Sequence, residues 1–495
     1  MEYKAHEVKL ELQKRNIPIS VSEVEYLSKK FIIYLSAVQE ENNTGIVEMM
    51  NANGGYILHI DALGGTKGGQ RLISGVDGVS DFVLGNAKIK TENSLDVGCF
   101  LNNIKDDFSD PLAVVQDMGR GIMKAVKDVF PNIPIFICHF HFLRDIGKDL
   151  LEENYDIIRK RLRHFAFLSK LRNWSKELKF IFENRLEAVN EFCNLGDVNA
   201  SEPEKNDQMQ AVYLYSLIEW ILDWKTESNG YGFPFDRPHL DLTLRVEKVG
   251  KIIDIDKYIA KQDSAVYRIG LKFQATIEAI NKDIELREKV IEITNEIQFF
   301  DKLRDAMRIA KKNETAGLND DGKDEEIKTI EKDVDEFMSE IKENPPAIKN
   351  SKLRAFIKQL NKYRKQLFAD PIKVNTDDAI KEIQPQRTNN LMERMFRDFT
   401  RDNKRKTGID SIGNTIQGMV ADTPLIRNLG NSHYREIIMG SKTNLADVFD
   451  SIDVSKIKRK MNEHAIRNDK ILNKIKALLK GDKLFSILSN SDGER

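Results

Sequence analysis

Three acidic residues occur in settings that suit a metal-dependent site for phosphoryl transfer. Asp61 ends the apolar run 56–60, and Asp117 follows the apolar run 112–116. Glu393 lies early in a stretch with a helical pattern. Carboxylates at the tips of neighbouring strands, joined by one from a helix, can hold two divalent cations over a phosphodiester. These residue types in this order therefore predict phosphodiester chemistry.

The two aspartates are informative mainly as a pair. An aspartate that leaves a strand often only caps a turn, so Asp61 or Asp117 by itself is ambiguous. Both, however, end apolar strands in the order that would bring their tips together. Clustered carboxylates repel each other unless cations neutralise them, so the pair predicts a metal site.

The elements around these residues follow the order β-β-β-α-β-α-β-α. Periodicity predicts five strands and two intervening helices, at 56–61, 71–79, 81–89, 93–107 (helix), 112–116, 120–130 (helix) and 133–140. A three-stranded meander followed by two crossovers predicts an α/β core, a mixed five-stranded sheet with helices on both faces. This is the order of the RNase H-like fold, in which the first and fourth strands are adjacent.

Helical periodicity dominates from about 145 to 385, where the strand signal disappears. The break at 16–20 allows either a helix-turn-helix or an ordinary helical hairpin near the N terminus. We therefore predict five segments: a helical N-terminal segment at 1–50, the first part of the core at 55–150, an all-helical insertion at 151–385, the second part of the core at 386–430, and a helical basic segment at 431–495. The chain should leave and re-enter the core at neighbouring points.

Composition narrows the class of protein. The 495 residues are 41% hydrophobic and 31% charged, with a net charge of −1. That charge is a mild argument against nucleic-acid binding, although the acidic stretch 319–345 and the basic stretch 455–483 can cancel. We find no membrane-spanning run or signal peptide, and three cysteines make no disulfide framework. We therefore expect a cytoplasmic protein without a membrane partner.

Glu393 allows two interpretations. It can complete a capping box with Asn390 as the N-cap residue, in which case backbone and not metal holds it. Alternatively it faces a metal, beside basic residues that recur every three or four positions: Arg394, Arg397, Arg401, Lys404 and Arg405. This cationic stripe suits DNA phosphates, or it is a solvated face with local ion pairs to Asp398 and Asp402. Gly408 is the expected residue that ends the helix.

Cys138 and His141 form a C-x-x-H unit directly after the fifth predicted strand. Half a zinc site has this spacing, but no convincing second pair occurs elsewhere. The plainer interpretation is a buried Cys138 that closes the sheet. Alternatively Cys138 and His141 are both auxiliary active-site residues, and His141 contacts the scissile phosphate or orients a carboxylate.

Trp220 and Trp224 lie at helical spacing in the predicted insertion. Such pairs more often belong to a core than to a binding surface. The alternative is stacking on an unpaired or flipped base, which makes both of them DNA-binding candidates.

Together these blocks resemble the DDE transposases of the Mutator-like superfamily and related prokaryotic insertion sequences. The resemblance covers 55–150 and 385–430 and rests on four stretches: HIDALGG, VVQDMGRGIMKAVKDVFP, ICHFHFLRDIGK and RTNNLMERMFRDFTRDNKRKTG. A long helical insertion between the second Asp and the Glu is also typical of that family. The N terminus departs from it, because a short segment without zinc ligands other than His6 precedes the first strand.

The resemblance implies a DNA transposase with two Mg²⁺ (or Mn²⁺) ions per active site. Asp61 would bridge both ions, while Asp117 and Glu393 would each favour one. The enzyme would cleave double-stranded DNA at transposon ends and join the freed strand to target DNA. It would act as a homodimer or higher oligomer, because two ends are cut together, and would be nucleoid-associated in a prokaryote.

Two other functions remain open. One is an RNase H-like nuclease that never joins strands, against which the large insertion and the distant Glu393 argue. The other is a domesticated or inactive transposase that is retained as a DNA-binding protein. The presence of all three carboxylates argues against such decay.

Overall fold

The chain divides into two compact units, one of them inserted in the other. Unit 1 comprises Met1–His141 and Lys365–Arg495, and unit 2 comprises Phe142–Arg364. The computed structural model describes residues 3–64, 69–184, 186–193, 207–225, 230–255, 264–309, 327–344, 349–375, 379–409 and 411–467. The sequence also predicts a surface loop at 313–324. This loop and the part of the basic stretch 455–483 beyond residue 467 lie outside the described residues.

A five-stranded mixed sheet forms the centre of unit 1. Its strands are β1 (Ile57–Leu63), β2 (Arg71–Asp77), β3 (Val83–Ile89), β4 (Ala113–Gln116) and β5 (Ile135–Ile137), in the spatial order β3-β2-β1-β4-β5. The β1–β2 and β2–β3 pairs are antiparallel, whereas β1–β4 and β4–β5 are parallel. The predicted mixed α/β sheet, with its first and fourth strands adjacent, is therefore confirmed.

The register of β1 and β4 brings the two aspartates side by side. His59 pairs with Val115 in the parallel ladder. Extended two residues past this last pair, the register would set Asp61 opposite Asp117. Asp61 does not end its strand as predicted, because β1 continues to Leu63 in its pairing with β2, whereas Asp117 directly follows β4. Side chains alternate between faces along a strand, so His59 and Asp61 share one face of β1.

Different layers cover the two faces of this sheet. Leu58 and Ile60 pack into the large core with α4 (Ser94–Phe108) and α5 (Arg120–Val129). Ile57 and Val115, on the opposite face, pack against apolar residues of a two-stranded hairpin, β6 (Ile372–Asn375) and β7 (Ile380–Ile383). The expectation that strands are absent up to residue 385 was therefore wrong, because this hairpin belongs to unit 1 and is antiparallel.

Three helices precede the sheet: α1 (Ala5–Lys14), α2 (Val21–Glu41) and α3 (Asn43–Ala52). Ser20 caps α2, since its hydroxyl oxygen accepts a hydrogen bond from the amide of Glu23 at 3.1 Å. α1 contributes no buried residue, whereas α2 contributes Ile32, Leu35 and Val38 to the core. The choice between a DNA-binding helix-turn-helix and a plain hairpin stays a prediction.

Unit 2 is helical apart from turns and one isolated bridge in its described residues. Its helices, the first and last of which begin or end in unit 1, are α6 (His139–His164), α7 (Phe167–Phe182), α8 (Leu186–Cys193), α9 (Asp207–Leu222), α10 (Pro238–Ile252), α11 (Ala265–Asn281), α12 (Ile284–Ala306), α13 (Ile327–Lys342) and α14 (Ser351–Leu367). The helical pattern is interrupted between α11 and α12 because Asp283 caps α12, accepting a hydrogen bond from the amide of Leu286 at 2.8 Å.

Unit 1 resumes with the helix that carries Glu393. Its elements here are α15 (Asn390–Thr407), α16 (Gly413–Gly418), a 3₁₀ helix (Thr423–Gly430), α17 (Ser432–Met439), α18 (Leu445–Asp450) and α19 (Val454–Arg467). Gly408 ends α15 in the left-handed region at φ 73°, as predicted, and its amide bonds the carbonyl of Lys404. No described helix has the length and apolar character needed to cross a bilayer.

Part of the C-terminal basic segment is engaged within the fold. Lys456 and Lys460 of α19 both form ion pairs with Glu40 near the end of α2. These two lysines are therefore partly neutralised, and they hold α19 against the N-terminal helices instead of facing solvent freely.

Candidate metal centre

Three potential metal ligands lie together in unit 1, near the C-terminal end of the central strand β1: Asp61, His141 and Glu393. One potential ligand atom from each lies within 4.8 Å of the other two. Asp61 and His141 are buried, with 7% and 3% of their surface exposed, and Glu393 is half-buried. Two carboxylates and an imidazole are a set of donors that can hold a divalent metal ion.

Each member of this group comes from a different kind of element. Asp61 lies near the end of β1, and its Oδ1 accepts a hydrogen bond from the amide of Ala62 at 2.7 Å. His141 lies in the first turn of α6, and Glu393 lies in the first turn of α15. Two helix N-termini thus meet the two carboxylates, and their positive ends stabilise negative charge there.

The imidazole of His141 faces the carboxylate of Glu393. Its Nε2 lies 3.6 Å from Oε1 of Glu393. The sequence placed His141 beside the site as an auxiliary residue, and the structure brings it among the potential ligand atoms.

The start of α15 decides how Glu393 reaches the site. The helix begins at Asn390, so Asn389 is the N-cap residue and not Asn390 as the capping-box pattern predicted. The side chain of Asn389 makes no capping bond to the helix. The capping-box interpretation is therefore wrong, because the side chain of this cap residue is committed to the sheet and Glu393 faces His141.

Asn389 connects α15 to two strands. Its Nδ2 donates to the carbonyl of Ile60 at 3.1 Å, and its backbone amide donates to Sγ of Cys138 at 3.3 Å. Its Oδ1 lies 2.9 Å from Nδ1 of His59. These three bonds reach β1 on one side and the residue after β5 on the other, so Asn389 sets the position of the first turn of α15.

Burial fixes the chemical state of His59. The ring is fully buried, and desolvation lowers its pKa to about 4, against which the bond to Asn389 acts only in part. A neutral ring carries one proton, and an amide oxygen only accepts, so Nδ1 of His59 is the donor toward Asn389. We call the set of His59, Asn389 and Cys138 the clamp.

Gly78 leaves the room that the ring of His59 occupies. A Cβ atom at this glycine would lie 2.6 Å from Nε2 of His59, which is closer than real Cβ contacts. Within the described residues this Nε2 has no hydrogen-bond partner. The position of the ring therefore depends on Gly78 on one side and Asn389 on the other.

Cys138 belongs to the clamp and not to the group of potential ligand atoms. The thiol is buried, and desolvation raises its pKa to about 12, although amides that include that of Asn389 act in the opposite direction. A metal-binding cysteine needs a thiolate, which this environment disfavours. The sulfur is also not among the ligand atoms grouped in the described residues, so the geometry favours the predicted buried cysteine over half a zinc site.

Asp117 lies next to Asp61 but does not belong to the group of three. Its Oδ1 accepts a hydrogen bond from the amide of Gly119 at 2.9 Å, at the turn into α5. Oε2 of Glu92 also approaches this turn, 3.6 Å from the place of a Cβ on Gly119. The structure thus sets the predicted Asp117 beside the centre while turning its carboxylate toward the start of α5.

The predicted cationic stripe lies on the outer face of α15. Leu391, Met392 and Met395 are buried in the core below the helix. The basic residues are all exposed, namely Arg394, Arg397, Arg401, Lys404 and Arg405. The stripe therefore begins one residue after Glu393 and continues along the solvent face, and its binding of DNA stays a prediction.

The two tryptophans of unit 2 differ in exposure. Trp224 is 5% exposed, and its ring lies 4.9 Å from that of His239 between centroids, so it belongs to the core and is not available for base stacking in this conformation. Trp220 is 41% exposed, with the guanidinium of Arg245 4.8 Å from its ring centroid. Its contact with DNA stays a prediction.

Sequence reasoning did not find His59 or Asn389. A signal existed for His59, a polar residue inside an otherwise apolar strand, where a buried polar group needs a partner. No comparable signal marked Asn389, because an Asn before a helix is usually a simple cap. Compared with known proteins, the sequence matches no family model and no curated protein.

Proposed function

We propose that the chain is a metal-dependent enzyme of DNA strand cleavage and joining, a DDE-type transposase whose unit 1 is an RNase H-like catalytic domain. The observation that carries the proposal is the convergence of Asp61, His141 and Glu393 from three distant blocks of sequence. The strand order β3-β2-β1-β4-β5, with only β2 running antiparallel to the other four strands, supports the fold assignment.

The residues present fit a divalent cation. Asp61 and Glu393 offer carboxylate oxygens, which Mg²⁺ and Mn²⁺ prefer, and Asp117 stands beside Asp61 as a further carboxylate. When bound, two such ions lower the pKa of an attacking water or 3′-hydroxyl and neutralise charge on the phosphate and leaving oxygen. The chain itself supplies the ligands, their fixed spacing and the partly buried setting that limits access of water.

The exposed stripe on α15 supplies the surface for DNA. Arginine and lysine bind phosphate oxygens without reading sequence. Because the stripe begins at Arg394, next to Glu393, a DNA backbone that lies along α15 passes directly by the metal centre. Assembly as a dimer, which paired end cleavage requires, is part of the proposal.

The test is metal-dependent cleavage of labelled double-stranded DNA that carries the sequences flanking the gene. Wild type with Mg²⁺ or Mn²⁺ should produce nicked and joined products, and Asp61→Asn should produce neither. Asp128→Asn, a change at an exposed carboxylate on α5, is the matched control and should retain full activity.

The products also separate the competing functions. Cleavage without any joined product would favour a nuclease that never transfers strands. Tight DNA binding without cleavage under all metal conditions would favour a DNA-binding protein that has lost catalysis. Equal activity of Asp61→Asn and wild type would refute the proposed centre.

A further inference from the structure

We propose that Nε2 of His141 is a direct metal ligand together with Asp61 and Glu393, and that the centre therefore binds Mn²⁺ in preference to Mg²⁺. The inference rests on the metal site of the proposed function, not on the cleavage reaction itself. It replaces an all-carboxylate ligand set by a mixed one of nitrogen and oxygen.

The distance between His141 and Glu393 supports shared coordination. A charge-assisted hydrogen bond has its heavy atoms about 2.7–2.9 Å apart, and the observed 3.6 Å is too long for one. Ligand atoms about 2.0–2.2 Å from one ion lie roughly 3.0–3.6 Å apart when they are neighbours in its coordination shell. The spacing of Nε2 and Oε1 therefore suits two ligands of one cation.

The ring of His141 is held where it lies. It is 3% exposed, in the first turn of a helix that follows Cys138 directly. The sulfur of Cys138 in turn accepts from the amide of Asn389, the residue before the helix of Glu393. One short chain of contacts thus fixes both His141 and Glu393, which prepares the pair before an ion arrives.

The donor types decide which ion is preferred. Mg²⁺ is a hard cation that takes oxygen ligands and gives up its waters reluctantly. Imidazole suits later divalent ions better, while carboxylates also suit Mn²⁺. Because Cys138 is not among the grouped ligand atoms of the described residues, no sulfur shifts the set toward soft metals. Mn²⁺ satisfies both the imidazole and the two carboxylates.

A surface pair provides a matched control. Nδ1 of His433 lies 3.6 Å from Oε2 of Glu436, the same separation as in the centre, but both side chains are 74% exposed. This pair belongs to no group of three potential ligands in the described residues. His433→Gln therefore removes an equally spaced imidazole that should not bind metal.

The experiment is pulsed electron paramagnetic resonance of Mn²⁺ bound to the full chain. Wild type should show nitrogen modulation from a bound imidazole, and labelling the histidines with ¹⁵N should change that signal without any substitution. His141→Gln should abolish it, while His433→Gln should leave it intact. In competition, His141→Gln should lower the preference for Mn²⁺ over Mg²⁺ by at least about ten-fold.

Three outcomes would overturn the inference. They are an absence of Mn²⁺ binding by wild type, bound Mn²⁺ without nitrogen modulation, and an unchanged signal in His141→Gln. The labelled wild type keeps the test decisive if His141→Gln does not fold. Cleavage that depends on Asp61 without nitrogen modulation would leave the proposed function standing while the inference fails. Nitrogen modulation without any cleavage would support the inference and count against the proposed function.

Discussion

At the scale of single residues, removal of the charge of Asp61 should affect metal binding and DNA binding in different ways. Asparagine has the same shape and keeps an oxygen for the amide of Ala62, so the fold should survive Asp61→Asn. The change removes a metal ligand and also a negative charge that faces phosphate. We expect metal affinity to fall at least about ten-fold and DNA binding to stay equal or become tighter.

Calorimetry with Mn²⁺ and fluorescence anisotropy with duplex DNA measure the two affinities separately. Asp128→Asn on the exposed face of α5 is the control for a lost surface carboxylate. If Asp61→Asn lost both affinities to the same extent, Asp61 would have a folding role instead.

Gly78 offers a second test at this scale. Gly78→Ala brings a methyl group to 2.6 Å from Nε2 of His59, whose ring Asn389 holds from the other side. We expect a loss of about 1–3 kcal/mol in the free energy of unfolding from this overpacking, and weaker metal binding because the clamp shifts.

Gly98 is the matched glycine. A Cβ there would meet nothing within 4 Å, so Gly98→Ala in α4 should be neutral or stabilising by up to about 1 kcal/mol. Denaturant unfolding and metal titration of both variants check the prediction. If Gly78→Ala were destabilised but kept its metal affinity, His59 would not influence metal binding at the centre.

At the scale of elements, α15 carries a buried asparagine at each end. Asn389 bonds His59 and Ile60 at the start of the helix, and Asn403 bonds the carbonyls of Ile409 and Ser411 after its end. Replacing either asparagine by alanine leaves buried polar groups without their hydrogen-bond partners. This should cost about 1–3 kcal/mol of stability in each case.

Only one of the two asparagines should affect the metal. Asn389→Ala releases the first turn of α15, so Glu393 loses its fixed position and metal affinity falls. Asn403→Ala leaves that turn untouched and should bind metal as wild type does. Titration with Mn²⁺ at a temperature where both variants are folded compares them, and equal affinities would show that the clamp does not position Glu393.

The stripe on α15 predicts contacts with phosphate rather than with bases. Arg397→Ala and Arg401→Ala should weaken binding to any duplex about equally. Each should reduce the slope of log affinity against log salt by about one unit for a lost contact. Lys124→Ala, at an exposed position on α5, is the control. A loss confined to one DNA sequence would contradict this assignment.

Sequence predicted the central elements better than the contacts between them. The strands β1 and β4 could be predicted because each contains a buried, mainly apolar run followed in the sequence by an aspartate, although β1 continues two residues past Asp61. The β6–β7 hairpin could not, since its strands are only four residues long and mix Lys and Glu with their few apolar residues. The bond between His59 and Asn389 joins residues 330 positions apart, which no local pattern reveals.

The residues of the site could also be predicted only in part. Asp61 and Glu393 carried signals of type and spacing, and they lie together. His141 was found only as an auxiliary residue, because its entry into the group depends on α6 beginning at His139, two residues earlier than expected. The Asp117 carboxylate accepts a hydrogen bond from the backbone amide of Gly119, and this contact has no counterpart in the sequence pattern.

At the scale of the whole molecule, the chain leaves and re-enters unit 1 at one place. Nε2 of His139 donates to the carbonyl of Leu367 at 2.8 Å, and the rings of His139 and Phe368 lie 5.7 Å apart between centroids. The two ends of unit 1 that flank the insertion, at residues 141 and 365, therefore lie close together.

This geometry predicts that unit 2 can be removed. A variant in which a short linker replaces 142–364 should keep the sheet, because its ends are already neighbours, and should keep Asp61 and Glu393 in place. Its metal affinity should fall, because the deletion removes the helix that holds His141. It should lose coordinated cleavage of paired DNA ends, for which we expect the insertion to be needed. Circular dichroism, metal titration and the cleavage assay test these points in turn. Full-rate cleavage of paired ends would show that unit 2 is dispensable.

We expect one metal ion to be held between Asp61, His141 and Glu393. The most direct measurement is anomalous diffraction at the manganese edge from crystals of the wild-type chain soaked in Mn²⁺. We expect an anomalous peak about 2.0–2.6 Å from a carboxylate oxygen of Asp61 and of Glu393 and from Nε2 of His141. A fully soaked crystal with no peak between these three side chains, or with its only peak elsewhere, would contradict it.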